Sequence, residues 1–223
     1  MNYIIATIRP WNISFFKKYF GRKKNFHLIA RKEDLTLNKI KKINPRYIFV
    51  PHWSWIIPEE IWSNFECVVF HMTDLPYGRG GSPLQNLIVR GHKRTKITAL
   101  KVDGGLDTGP VYLKRKLSLF GTAEEIYIRA SEMIFGEMIP LIAKSNPKPK
   151  PQKGKIVSFK RRKPEDGKIL ETMPMEEIYD IVRMLDAPEY PKAFIEGEKW
   201  RMEFSEAEKT KTGLKVSVEI KEK

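Results

Sequence analysis

The residues with the clearest chemical potential are a histidine and an aspartate that each lie beside glycine-rich sequence. His71 directly follows the apolar run 67–70, and the glycine-rich turn 78–82 comes shortly after it. Asp107 lies in the loop GGLDTGP, where glycines let a backbone approach a ligand closely. A carboxylate beside an imidazole fixes its tautomer and supports its protonated form, as in an acid–base pair. A single histidine after a strand is also consistent with a purely structural role.

Other chemistries find little support in the residues. The four histidines show no metal-ligand spacing, and the single cysteine, Cys67, excludes a disulfide framework and a CxxC metal site. The turn GRGGSP is not a Walker loop, because no GK[ST] follows it. No stretch approaches the roughly 18 apolar residues that span a membrane, and the N-terminus reads as a buried strand and not as a signal peptide. We therefore expect no metal, no membrane partner and a cytoplasmic location.

The formal net charge of +14 is distributed unevenly. Residues 1–50 carry 12 basic and 2 acidic residues, residues 145–163 carry 8 basic and no acidic ones, and residues 164–223 carry 10 basic and 15 acidic ones. The run PKPKPQKGK is typical of an extended linker with solvated lysines, and a phosphate-binding patch is the alternative. Nucleic-acid binders usually place their charge along one element with a reading motif. The charge therefore predicts attraction to small anions and no nucleic-acid partner.

Short apolar segments alternate with helical patterns over the first 145 residues. The pattern predicts strands at 3–8, 26–30, 47–50, 67–70, 97–102 and 111–119. A capping box of Thr122 and Glu125 opens a helix that is predicted to run to about residue 144. This alternation is typical of an α/β fold with a doubly wound, mostly parallel sheet. We expect a catalytic domain at 1–145, a Pro/Lys-rich linker at 146–158 and a small α+β appendage at 159–223.

Doubly wound sheets bind ligands outside the carboxyl ends of their strands. That rule directs attention to four loops, at residues 9–12, 52–55, 71–82 and 103–108. The unusual residues of the chain lie in these loops.

The segment HMTDLPYGRGGSP at 71–83, continued to GLDTG at 105–109, resembles the folate-dependent formyltransferases. Their hallmark is a His-x-Ser-Leu-Leu-Pro turn, an Arg-Gly and a Pro a few residues on, and an Asp-x-Gly loop after the next strand. The separation of 36 residues between His71 and Asp107 matches the methionyl-tRNA members. The resemblance runs from the first strand to about residue 145, and more loosely through 159–194. It implies a Rossmann-like catalytic fold.

The resemblance implies transfer of a formyl group from 10-formyltetrahydrofolate to a primary amine. In the family an Asn and the His stabilise the tetrahedral oxyanion, and the Asp assists proton removal; His71 and Asp107 match the last two. The family's Asn lies two residues before the His, where this chain has Val69, which cannot donate a hydrogen bond. Each such donor is worth on the order of 3 kcal/mol. We expect His52 to supply the missing donor, the alternative being an ordinary loop histidine.

The resemblance also implies two sets of binding residues. The pterin of the folate should be held near the loop VPHWSWIIP and the Asp107 loop, by Trp53, Trp55, Ile57, Asp103, Gly104, Gly105 and Asp107. The acceptor should be bound by Arg9, Trp11, Asn12, Arg79 and Gly80. Stacking on a base or sugar and pairing with a pyrophosphate suit Trp11 and Arg9. Packing of Trp11 against the following helix is an equally good interpretation.

Comparison with the branches of the family excludes some classes of acceptor substrate. The methionyl-tRNA enzymes carry a further β-domain, whereas only 60 residues, which are net acidic, follow residue 163 here. The glycinamide-ribonucleotide enzymes have a glycine-rich loop after the first strand, and residues 9–12 contain no glycine. We therefore expect N-formylation of a nucleotide-activated amino sugar, as in pseudaminic-acid-type pathways. A homodimer is a possible assembly. The alternatives are an impaired folate-binding relative, suggested by Val69, a formyltransferase for another small amine, and a basic nucleic-acid binder.

Overall fold

The chain forms two compact units, neither of which is a continuous segment. The computed structural model describes all 223 residues. The first unit comprises residues 1–79, 96–117 and 128–158, and the second comprises 80–95, 118–127 and 159–223. The division predicted from sequence, at residues 145 and 158, stays a prediction. No helix is long and apolar enough to cross a membrane.

The first unit contains most of the residues of a six-stranded sheet. Its strands are β1 (Asn2–Ala6), β2 (Phe26–Ile29), β3 (Pro45–Val50), β4 (Cys67–His71), β6 (Arg94–Lys101) and β7 (Val111–Ser118). Their order is β2-β1-β3-β4-β6-β7. The first four strands are parallel, and β6 pairs with β4 in the antiparallel direction. The predicted α/β fold with a mostly parallel, Rossmann-like sheet is therefore confirmed.

Consecutive apolar residues form the central strands because both faces of a parallel sheet are covered. Ile4, Ile5, Ile48 and Phe49 expose none of their surface. Full burial of such side chains stabilises the fold by about 1.5–3 kcal/mol each. The fold thus fixes the strand ends on which the candidate site residues lie.

Four of the seven helices lie between strands of this sheet along the chain, and three follow its last strand. They are α1 (Pro10–Phe20), α2 (Leu37–Ile43), α3 (Glu59–Trp62), α4 (Pro83–Val89), α5 (Ala123–Met133), α6 (Ile139–Ser145) and α7 (Met175–Leu185). The capping box predicted at the start of α5 is present, since Glu125 accepts from the Thr122 N–H and Thr122 accepts from the Glu125 N–H. The helix predicted from 122 to about 144 is interrupted by a π-helical turn at Ile134–Met138. Pro140, which lacks an N–H, lies just after that turn.

The second unit ends in a small β-rich region. Strands β9 (Ala193–Glu196), β10 (Trp200–Lys209) and β11 (Leu214–Glu222) form an antiparallel sheet, and α7 packs on β10. A two-stranded ladder joins β5 (Tyr77–Gly80) and β8 (Val157–Phe159). The predicted small C-terminal appendage is confirmed.

A polar network in the first unit lies at the start of β3. Glu66 accepts hydrogen bonds from Arg46 and Tyr112, and Arg46 also donates to Asn146 at 2.7 Å. Burial by itself raises the pKa of Glu66, but the hydrogen bonds from Tyr112 and Arg46 outweigh it and hold that pKa below its ordinary range. The folded state therefore favours the Glu66 carboxylate.

We predict that Glu66→Gln lowers the free energy of unfolding at pH 7 by about 1–3 kcal/mol, the range for hydrogen bonds to charged groups. A carboxylate with a lowered pKa stabilises the fold above its unfolded pKa of about 4.3, and that contribution is lost as the pH falls through the folded value. Urea unfolding of wild type and variant should thus differ at pH 7 and converge in acid. Glu60→Gln, at an exposed carboxylate, is the control. An equal difference at pH 7 and at pH 3 would contradict this account.

Candidate active site

The two residues predicted to carry the chemistry lie together in the first unit. His71 is the last residue of β4, and Asp107 lies in the loop that joins β6 to β7. Nδ1 of His71 is 3.5 Å from Oδ2 of Asp107, and the two side chains are only 9% and 14% exposed. The antiparallel pairing of β4 with β6, in which His71 lies opposite Thr98, makes the strand that leads into the Asp107 loop the direct neighbour of the strand that ends at His71.

The hydrogen-bond partner of the second ring nitrogen, Nε2, fixes the tautomer of the His71 ring. Nε2 lies 2.7 Å from the carbonyl oxygen of Gly78, which can only accept a hydrogen bond. Nε2 therefore carries a hydrogen, and a neutral ring would turn the lone pair of Nδ1 toward the Asp107 carboxylate. A proton between Nδ1 and Asp107 removes that repulsion. The pair is therefore arranged to take up one proton, which either group can then carry, as general acid–base chemistry requires.

Buried threonines fix the turn that supplies the Gly78 carbonyl. Oγ1 of Thr73 donates to the Gly78 carbonyl at 3.3 Å, and Oγ1 of Thr98 donates to the Thr73 carbonyl at 2.6 Å. Both threonines are fully buried. Gly78 itself has a φ of +79°, a conformation that favours glycine. The partner of Nε2 is therefore placed by the sheet and not by a free loop.

The Asp107 loop is held by its own side chains at one end. The carboxylate of Asp103 accepts hydrogen bonds from the Gly105 N–H and the Thr108 hydroxyl. Asp107 has a φ of +55°, which costs a non-glycine residue on the order of 1–2 kcal/mol. A Cβ at Gly109 would lie 1.8 Å from the Lys101 carbonyl oxygen, so only glycine fits there. The carboxylate of Asp103, a predicted pterin-binding residue, is thus engaged within the loop.

The other residues predicted to bind the pterin differ in their surroundings. Gly104 and Gly105 are exposed, whereas the side chain of Ile57 is in the core. The rings of Trp53 and Trp55 meet edge to face with centroids 5.2 Å apart. The buried indole N–H of Trp53 has no hydrogen-bond partner. A pterin contact at Ile57 can therefore come only from its backbone, and the pterin-binding set stays a prediction.

His52, the predicted substitute for the family's asparagine, follows the carboxyl end of β3 with a φ of +53°. Its ring meets the Trp11 ring edge to face, with centroids 5.5 Å apart. Desolvation of the ring, with a further contribution from the positive charge of Arg9, lowers the pKa of His52 to about 3. The imidazole is therefore neutral at pH 7, and a neutral imidazole keeps one N–H donor. Its role as oxyanion donor stays a prediction.

The residues predicted to bind the acceptor lie in two places. The Arg9 guanidinium is 5.7 Å from the Trp11 ring centroid. Asn12 is fully buried and donates to the Thr7 hydroxyl at 2.9 Å, while its side-chain oxygen has no partner. Arg79 donates to the side-chain oxygen of Gln152 from Nε and Nη2, at 3.2 and 2.8 Å. Asn12 and Arg79 thus already form intramolecular bonds, and the acceptor-binding set stays a prediction.

Gly80 is explained by close packing within the second unit. Its φ is +107°, and a Cβ would lie 2.4 Å from the Phe159 carbonyl oxygen. Glycine is therefore required there whether or not the residue touches an acceptor.

Sequence reasoning missed Gln152. Its side-chain N–H groups donate to the carbonyls of Asp107 and Gly109, at 2.8 and 2.9 Å. The only signal in the sequence is that Gln152 is the one uncharged polar residue in PKPKPQKGK. No group of three or more His, Cys, Asp or Glu side chains lies close enough to hold a metal ion.

Comparison with known proteins gives the class to which this fold and site belong. The family model described as "Formyl transferase" matches residues 17–133, and the model described as "Methionyl-tRNA formyltransferase, C-terminal domain" matches residues 164–221. The chain belongs to the formyltransferase family. The predicted class of enzyme, a folate-dependent formyltransferase, and the predicted co-substrate, 10-formyltetrahydrofolate, are confirmed at the level of that family.

Within the family, the similar proteins carry a more particular name. A solved structure, "Methionyl-tRNA formyltransferase from Clostridium thermocellum", is 55% identical, covers all of both chains and superimposes with a TM-score of 0.97. A methionyl-tRNA formyltransferase of Thermodesulfovibrio yellowstonii is 32% identical over 160 residues, which are 68% of this chain and 52% of that protein. The chain spans about half the length of the curated relatives it matches, or less.

More distant structures share the fold alone. HypX from Aquifex aeolicus, solved in complex with tetrahydrofolic acid, is 19% identical with a TM-score of 0.75 over 93% of this chain and 38% of that one. A sugar N-formyltransferase from Shewanella is 16% identical, with a TM-score of 0.62 over 89% of this chain and 93% of that one.

The predicted nucleotide-sugar acceptor and the exclusion of nucleic acid are wrong. The last 60 residues looked too short and too acidic for the methionyl-tRNA branch, yet the model of that branch's C-terminal domain matches residues 164–221. The net negative charge of this segment was misleading because a net charge does not show how the individual carboxylates are engaged. Glu196 pairs with Lys168 and Lys223, and Glu203 pairs with Lys221.

The lowered pKa of His52 yields a prediction. Between pH 5 and pH 8 the ring NMR resonances of His52, assigned with a His52→Gln variant, should not move, because the imidazole stays neutral. Arg9→Gln should raise the pKa of His52, since it removes a neighbouring positive charge, but desolvation should still keep it below the ordinary value of about 6.5. A His52 resonance that titrates between pH 5 and pH 8 in the wild type would refute this.

Proposed function

We propose that the protein transfers the formyl group of 10-formyltetrahydrofolate to the amine of methionyl-tRNA. The observation that carries this proposal is the 55% identity, over the whole of both chains, to a protein named methionyl-tRNA formyltransferase. The His71–Asp107 pair supplies the acid–base group that formylation of an amine requires. The predicted cytoplasmic location belongs to the same proposal, because aminoacylated tRNA is found where translation takes place.

The loops near this pair suit a folate. The indole N–H of Trp53 is buried without a partner, and a Cβ at Gly104 would meet only the Trp62 ring, at 3.8 Å. An unpaired donor and an open backbone fit a pterin ring, which carries several hydrogen-bonding atoms. When bound, 10-formyltetrahydrofolate supplies a formyl group on a nitrogen that leaves as an amine once the new amide forms.

The residues of this chain then act on the acceptor amine and on the oxyanion. The amine must lose a proton as its nitrogen bonds to the formyl carbon; the His71–Asp107 pair accepts that proton and returns it to the folate nitrogen as the bond from that nitrogen to the formyl carbon breaks. The protonated pair lies in a buried site, where its positive imidazole stabilises negative charge more strongly than in water. Val69 supplies no donor, so the side-chain donor assigned to the oxyanion in this proposal is the neutral His52.

The charge distribution also favours a polyanionic acceptor. Residues 1–50 and 145–163 together carry 20 basic and 2 acidic residues. Lysines 148, 150, 153 and 155 are exposed, so they are available to phosphate groups. Residues 164–223 carry 10 basic and 15 acidic residues, an imbalance smaller than this basic excess, so the attraction remains.

We predict that the purified chain formylates methionyl-tRNA with 10-formyltetrahydrofolate as donor, detected by mass spectrometry of the released amino acid. His71→Ala and Asp107→Asn should each lower kcat by about 100- to 10,000-fold, the usual contribution of a general acid–base group. Binding of tetrahydrofolate, measured by calorimetry, should be retained in His71→Ala. The matched controls are His92→Ala and Asp34→Asn, which alter residues outside the candidate site.

Three results would contradict the proposal. Normal kcat in Asp107→Asn would remove the role of the pair. Formylation of another amine but not of methionyl-tRNA would make the acceptor wrong. Folate binding with no transfer to any amine would show a binding protein in place of an enzyme.

A further inference from the structure

We propose that Gln152 is a positioning residue that holds both hydrogen-bonding partners of His71 in place. Its effect on turnover rests on the proposed formyl transfer, whereas its effect on the Asp107 loop does not. Gln152 lies in the run PKPKPQKGK, outside the segments that resemble catalytic loops.

The side-chain amide of Gln152 uses all of its hydrogen-bonding capacity. Its two N–H groups donate to the carbonyls of Asp107 and Gly109, at 2.8 and 2.9 Å. Its oxygen accepts from Nε and Nη2 of Arg79, at 3.2 and 2.8 Å. A flipped amide would place its N–H groups against a guanidinium and its oxygen against two carbonyls. Because carbonyls only accept and guanidinium groups only donate, one orientation is possible.

Gln152 thereby joins the two loops that determine the state of His71. Asp107, whose carboxylate faces Nδ1 of His71, is bound through its backbone carbonyl. Arg79 directly follows Gly78, whose carbonyl binds Nε2 of His71. A shift of Gln152 therefore reaches the partners of both ring nitrogens.

The conformation of the Asp107 loop depends on a hydrogen bond from outside the loop. Asp107 has a left-handed backbone conformation, and glycines at 104, 105 and 109 give the loop many alternative conformations. Asp103 fixes Gly105 and Thr108, but neither of these bonds fixes the carbonyl of Asp107. Gln152 supplies that bond.

The chain around Gln152 is itself anchored on both sides. Lys150 exchanges two backbone hydrogen bonds with Val111, at 2.7 and 2.8 Å, and the Val157 N–H donates to the Pro76 carbonyl at 3.3 Å. Prolines at 147, 149 and 151 restrict the backbone to extended conformations. We call residues 147–157 the strap. It holds Gln152 at a fixed place, while its lysine side chains remain exposed.

The test uses Gln152→Glu and Gln152→Ala in the full chain. Gln152→Glu keeps an acceptor for Arg79 but places a carboxylate oxygen against two carbonyls, whereas Gln152→Ala removes all four hydrogen bonds. We expect each variant to lower kcat by about 10- to 100-fold, the loss typical of a displaced catalytic group, with a smaller change in the KM for 10-formyltetrahydrofolate. The amides of residues 104–109 should exchange hydrogen faster in both variants. Ser158→Ala, at an exposed side chain near the end of the strap, should match the wild type.

The outcomes separate this proposal from the proposed function. If the wild type does not formylate methionyl-tRNA, the proposed function fails, and hydrogen exchange still decides whether Gln152 braces the loop. Unchanged exchange at 104–109 in Gln152→Ala would overturn the proposal. An effect confined to the KM for tRNA, with kcat unchanged, would also overturn it and would indicate that the residue contacts the acceptor.

Discussion

The bond between Nε2 of His71 and the Gly78 carbonyl is the constraint on which the chemistry of this site depends. Because that carbonyl only accepts, it fixes a hydrogen on Nε2 and leaves Nδ1 to face the Asp107 carboxylate. The pair is then able to take up a proton between its members. A site arranged in this way can take the proton that an amine releases when it is acylated.

Several strands and side chains hold this geometry in place. β4 delivers His71 from a buried strand, and the antiparallel β6 leads directly into the Asp107 loop. Thr98 on β6 binds the backbone of Thr73, which in turn supports the Gly78 carbonyl. The loop that carries Asp107 is held by Asp103 within it and by Gln152 outside it. A rigid scaffold of this kind holds acid and base groups at a defined separation.

The features of the fold and of the site that could be predicted from sequence are those marked by a pattern of neighbouring residues. Apolar runs predicted the strands that contain Ile5 and Phe49, and glycine-flanked loops pointed to His71 and Asp107. Gln152 could not be found in this way, because its importance comes from contacts with residues more than 40 positions away in the chain. The interruption at Ile134–Met138 depends on where the helix accommodates Pro140. The acceptor was predicted wrongly because the length and net charge of the last 60 residues do not show which domain they form, whereas the model of the methionyl-tRNA branch's C-terminal domain matches residues 164–221.

The most direct test of this account is the protonation of the His71 ring, measured by ¹⁵N NMR of histidine-labelled protein with His71→Gln used for assignment. We expect the Nε2 resonance of His71 to show a protonated nitrogen at every pH at which the protein is folded, because the Gly78 carbonyl binds that hydrogen. A neutral ring protonated on Nδ1 and bare on Nε2 would contradict the central claim.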